Sequence, residues 1–142
     1  MATKRKPLLS SDFSKGEYSY EAKTSMWSEE KTMLFVDLPD GDELNQWIDK
    51  INKKLLWLDE NRETITQAVT DSKVFSDLHI WTTEAVTAED FRAGLFISEI
   101  GFSFQWKQAQ VYIGCERDYF GDHIICLYLD EQNKVTGCGL EG

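Results

Sequence analysis

Histidine, proline and cysteine are scarce in this chain: two, two and three among 142 residues. An odd number of cysteines without framework spacing argues against a disulfide scaffold and for a reducing, cytoplasmic setting. No window approaches the roughly 18 apolar residues that a membrane-spanning helix needs. At the N-terminus Lys4, Arg5 and Lys6 are followed only by Leu8 and Leu9, too short an apolar stretch for a signal peptide. Basic side chains are also in deficit, with 15 Lys and Arg against 25 Asp and Glu and a formal net charge of −10. That balance disfavours nucleic acid, whose binding depends on cations displacing counterions, and it disfavours an anionic membrane surface. A basic protein partner is the macromolecule such a field attracts. No Walker loop, dinucleotide fingerprint or G-x-S-x-G elbow occurs.

Apolar material is plentiful: 42% of residues are hydrophobic and 13% aromatic, enough for one packed domain and too much for a disordered chain. Residues 1–16 are polar, contain Pro7 and Gly16 and lack a period, so a flexible leader is expected there, followed by a single domain over 17–142. Tyr18, Tyr20, Ala22, Thr24 and Met26 alternate with polar residues as a half-buried strand does. A second strand is expected over Lys31–Leu38, ended by Pro39-Asp40-Gly41. Leu44, Trp47, Ile48, Ile51, Leu55 and Leu58 make the stripe of a core-facing helix, with Asp40 or Asp42 placed to cap it. A second helix is expected from Ile65 to about Ile80, and Thr87 with Asp90 reads as the cap of a short third. Four further alternating stretches follow: Phe96–Phe104, Ala109–Cys115, His123–Asp130 and Lys134–Leu140. The expected fold is α+β, with helices on one face of an antiparallel sheet of four to six strands in ββ-ααα-ββββ order.

Several local features resemble one family. They are Trp81; Val86-Thr87 with Glu89 and Phe91; the apolar run Leu95–Ile100; Phe120-Gly121 with His123; the strand Ile124–Leu129; and the closing Gly139-Leu-Glu-Gly142. Over Lys31 to Gly142 the chain resembles the bacterial family catalogued as domain of unknown function 2262. The family pattern places the histidine directly after the glycine, whereas Asp122 intervenes here. The resemblance implies an architecture and no activity. Small acidic proteins of this general kind serve as immunity partners of bacterial toxins, an analogy of fold and setting.

Chemistry is hard to place on these residues. Cys126 and His123 are three apart on a strand, so they point to opposite faces, and Asp118 and Asp122 oppose the electropositive setting a thiolate needs. Zinc held by Cys115, His123, Cys126 and Cys138 meets the same difficulty. Asp37, Asp40, Asp42 and Glu43 lack the alternate ligand spacing of a calcium loop and read as a turn with a helix cap. His79 suits the negative end of a helix. No catalytic residue, metal ligand or cofactor is therefore expected.

Recognition is better represented. Trp57 falls opposite Ile51 and Leu55 if the first helix runs on, and Trp106 sits in a hairpin region; exposed tryptophans are favoured hot spots. Two acidic groups, Asp37, Asp40, Asp42 and Glu43 together with Glu116, Asp118 and Asp122, are the expected contacts for a basic partner. The expected function is a non-enzymatic acidic protein-binding domain, an immunity-type inhibitor of a toxin. A regulatory or accessory interaction domain is the alternative, and an enzyme ranks third. In the C-terminal hairpin, a loop of Glu131, Gln132 and Asn133 should set Leu129 beside Val135 and Cys126 opposite Cys138.

Overall fold

The computed structural model of the chain describes residues 5–27 and 29–142. The first four residues of the expected leader, Lys4 among them, and Ser28 of the first strand connection lie outside the described residues. The six alternating stretches read from the sequence all become strands. They are β2 (Tyr20–Met26), β3 (Glu29–Asp37), β4 (Leu95–Ser103), β5 (Gln108–Cys115), β6 (Ile124–Asp130) and β7 (Val135–Glu141). A seventh, β1 (Ser14–Lys15), pairs with β2 through Ser14–Glu21 and Lys15–Tyr20. The sheet runs β1 to β7 in chain order. It is mixed, not antiparallel: β3 and β4 lie parallel, with Leu34 beside Ile100 and Val36 beside Phe102. The long segment between them provides the crossover that a parallel pair requires, so that β4 starts again from the same end as β3.

That crossover holds five helices where three were expected: α1 (Leu44–Glu60), α2 (Arg62–Asp71), α3 (Lys73–Ser76), α4 (Leu78–Trp81) and α5 (Ala88–Ala93). The expected second helix is cut into three. Ser72 is extended, with ψ 173°, and its hydroxyl accepts the Val74 amide N–H at 3.2 Å; Asp77 breaks the chain again with ψ 6°. Serine side chains compete with the backbone in this way, which makes them helix punctuation. Thr87 Oγ1 accepts the Asp90 amide N–H at 3.1 Å, the expected cap of α5. The cap of α1 is Glu43, whose amide donates to Gln46 Oε1 at 2.5 Å. Asp42, expected as a cap, instead accepts the Trp47 indole N–H at 2.9 Å.

The α1 stripe Leu44, Ile51, Leu55 and Leu58 is buried with Ile65 and Val69 of α2 and Phe91 of α5. It meets one face of the sheet, on which Leu34, Val36, Ile97, Ile100, Val111, Ile113, Ile125 and Leu127 are also buried. Removing that apolar surface from water, at about 25 cal/mol per Å², is the main drive for the layered arrangement. Trp47 stacks on Phe104 with ring centroids 4.6 Å apart, pinning the β4–β5 turn to α1.

The N-terminal segment expected as a leader is docked from Arg5 onward. The Arg5 guanidinium lies 3.5 Å from the Asp59 carboxylate and donates to Ser25 O at 3.0 Å and to Thr24 Oγ1. Leu8 exchanges two hydrogen bonds with the Asn52 side chain, at 2.8 and 2.9 Å. Burial lowers the pKa of Arg5, with the Asp59 charge opposing the shift.

The C-terminal hairpin has its expected loop. Asn133 is left-handed with φ 64°, Asp130 Oδ1 accepts the Gln132 and Lys134 amides at 2.9 Å each, and Leu129 pairs with Val135. One residue later a bulge shifts the register, so Tyr128 pairs with Gly137, Leu127 with Cys138 and Cys126 with Gly139. Cys138 therefore shares the core face with Leu127, and Cys126 lies on the other. The expected cysteine pairing fails, because a one-residue bulge turns every later side chain over.

Candidate functional site

Because side chains alternate along a strand, the face away from the helices can be laid out row by row. Phe35, Gly101, Gln110 and Tyr128 are successive neighbours across β3 to β6; Asp37, Ser103, Gln108 and Asp130 form the next row, at the sheet end. The first row has a gap at Gly101. A Cβ built on that glycine would meet nothing within 4 Å, so the gap is open space. Gly114 is the opposite case, since the Phe96 ring would lie 2.5 Å from such a Cβ. The gap at Gly101 deepens into a depression of about 200 Å³ lined by Phe35, Asp37, Ser103, Trp106, Gln108 and Gln110.

Trp106 forms its rim and is 70% exposed. The neighbouring Phe104 is buried on Trp47, and the turn closes through Lys107 at φ 57°. The anchored Phe104 thus fixes a hairpin whose other aromatic stands in solvent. Asp37 is held by the same turn: its Oδ2 accepts the Ser103 hydroxyl at 3.0 Å, and Ser103 Oγ accepts the Trp106 amide at 3.2 Å.

Asp37 and Ser19 also line an adjoining hollow of about 220 Å³ bounded by Asp40, Asp42 and Tyr18, the last 86% exposed. The fold thus joins Trp106 to Asp37, Asp40 and Asp42 at one end of the sheet. Glu43 is exposed beside them at the start of α1. Tyr18, Phe35 and Gly101 are not among the contacts expected from the sequence, and Tyr18, expected on the first strand, lies exposed ahead of β2, which starts at Tyr20. The available signal was a glycine in the interior of an alternating strand, which marks a bulge or a close approach.

The other expected residues are placed elsewhere. Trp57 is half-buried and packs against the core. Glu116, Asp118 and Asp122 are exposed in the β5–β6 connection, at the opposite sheet end from Asp37, since β5 runs back from Gln108 to Cys115. Glu116 borders a 300 Å³ hollow with Glu84, Asp90, Cys115 and Arg117, in which the Arg117 guanidinium pairs with Glu84 at 3.1 Å. The Cys115 thiol there is pushed up to about 12 by burial and by the Asp118 charge, so it stays protonated and weakly nucleophilic. Burial raises the thiols of Cys126 and Cys138 as well. His123 packs on Trp81 with centroids 5.0 Å apart, and its Nδ1 lies 3.2 Å from Phe120 O. Among the described residues, no three His, Cys, Asp or Glu side chains are placed to hold a metal ion, and no helix is long and apolar enough to cross a membrane.

Comparison of the chain with family models, curated proteins and solved structures finds no match.

Proposed function

We propose that this chain is a non-enzymatic binding domain for a basic protein, acting as an immunity-type inhibitor that occludes a toxin. The observation that carries the reading is the junction of Trp106, exposed on an anchored turn, with Asp37, Asp40 and Asp42 at one sheet end. An exposed aromatic that shares its depression with the Asp37 carboxylate, with Asp40 and Asp42 lining the adjoining hollow, offers a desolvating anchor and a field that draws cations, the two ingredients of a charged interface. The net charge of −10 extends that attraction over distance. The motifs resembling domain of unknown function family 2262 fall mainly on scaffold: Phe91 and Phe120 are buried, and Trp81 packs edge-on against Phe120. The resemblance, carried at such positions, bears on architecture alone and leaves the recognition surface free to differ.

Immobilising the chain beside a Trp106→Ala/Asp37→Asn double variant, and exposing both to one extract, tests the reading. Proteins held by the first and lost by the second should be basic, should elute as salt rises, and should lose their own activity when the chain is added. A retained set that the double substitution leaves unchanged would refute it.

A further inference from the structure

Resting on that reading, we propose that the depression floored by Gly101 seats a single arginine side chain of the partner. The floor itself is the first reason. A glycine inside a central strand is destabilising relative to a residue with a side chain, and here no neighbour demands it, because a Cβ would enter empty space. What the missing side chain leaves is room for an incoming group between Phe35 and Gln110, open to solvent beside Trp106.

The walls suit a guanidinium more closely than an ammonium. Trp106 and Phe35 bring two aromatic rings to the lining, and a planar cation stacks on such rings. The Asp37 carboxylate is oriented by the Ser103 hydroxyl on Oδ2, and among the described residues Oδ1 accepts no hydrogen bond. A guanidinium fork matches a carboxylate with two parallel N–H groups; Gln108 lies in the same lining, as does Gln110, whose amide oxygen already accepts the Tyr112 hydroxyl at 2.9 Å. No Lys or Arg side chain lines the depression, so a cation entering it meets no competing charge from the wall. A lysine ammonium, compact and strongly hydrated, would gain little from the stacking faces and more from bulk water. A neutral sugar could also lie on the aromatics, but it would leave the one charged group of the lining without a counter-ion.

The test is a titration of the whole chain with Nα-acetyl-arginine methylamide, following the Trp106 indole N–H by NMR, with the resonance assigned through Trp106→Phe. The lysine and citrulline analogues and methyl glucoside form the parallel arms. The arginine probe should shift the Trp106 resonance saturably, about tenfold more tightly than lysine, while citrulline, its neutral isostere, leaves the signal in place. Asp37→Asn should weaken the arginine probe by about tenfold or more, and Gly101→Val should abolish its effect on a chain that remains folded. Equal binding of lysine or citrulline, a response to glucoside alone, or an undiminished response in Gly101→Val would each overturn the proposal. If the chain captures a basic partner through Trp106 and Asp37 yet the arginine probe leaves Trp106 unmoved, the arginine seat falls and the binding reading stands.

Discussion

Replacing Gly101 by valine separates a structural glycine from a functional one. In a strand interior, glycine is less stable than alanine by roughly 0.5–1 kcal/mol, and strand preference for a β-branched residue adds a gain within a scale of about 1 kcal/mol. No clash offsets it, since nothing stands within 4 Å of the new Cβ. The expected net stabilisation is about 1 kcal/mol, which for a domain of this size raises the melting temperature by about 3–5 °C. The same two methyl groups fill the depression and should remove any ligand that uses it. Thermal melts by circular dichroism, paired with guanidinium denaturation, give the stability change; partner binding on the same preparations gives the other half. A loss of 1 kcal/mol or more would show that the glycine serves the fold. A variant that is stabilised yet binds with undiminished affinity would equally refute the reasoning.

Three further outcomes follow from the packing. Arg5→Ala should lower stability by about 1–3 kcal/mol in guanidinium denaturation, because the docked guanidinium serves Asp59, Ser25 and Thr24 together; an unchanged midpoint would mean the arm contributes nothing. The Cys115 thiol is raised in the fold from an ordinary 9.0 to about 12, so the folded state keeps a proton that the unfolded chain releases. Its contribution is therefore complete below pH 9 and is lost as the pH rises from there towards 12; urea melts across that range should fall less steeply for Cys115→Ala. Because Cys126 and Cys138 lie on opposite faces of the sheet, mild oxidation of the folded chain should leave no internal crosslink between them in non-reducing peptide mapping.

What was legible in the sequence is what repeats locally. The α1 stripe from Leu44 to Leu58 and the alternation in β2 to β7 follow from periods of 3.6 and 2, which any short window displays. The C-terminal turn was legible too, because Asn133 tolerates the left-handed conformation its loop requires. The bulge just beyond it was missed: Gly137, a glycine inside an alternating strand, was its mark, and the extra residue decides which face Cys138 occupies. The parallel pairing of β3 with β4 was hidden for a different reason. It joins Leu34 to Ile100 across the whole helical segment, and no local pattern records which distant strand a strand will meet. The same limit governs the site. Trp106 stood out as a hairpin tryptophan, and Asp37, Asp40 and Asp42 as an acidic group, but their junction exists only once Asp37 and Ser103 are neighbours. Of the two acidic groups expected as contacts, that junction favours the first. Glu116, Asp118 and Asp122 occupy the opposite end of the sheet, without a comparably exposed tryptophan at the β5–β6 turn.

The most direct test of the central claim is the ionic-strength dependence of association, measured by stopped flow between the chain and its purified basic partner. If the Trp106 end of the sheet receives that partner, the on-rate should fall by about tenfold or more between low and physiological salt, where the screening length shrinks to about 8–10 Å. Asp37→Asn, Asp40→Asn and Asp42→Asn together should flatten that slope, while neutralising Glu116, Asp118 and Asp122 should leave most of it. An on-rate indifferent to salt, or a slope that follows the second group and ignores the first, would contradict the account.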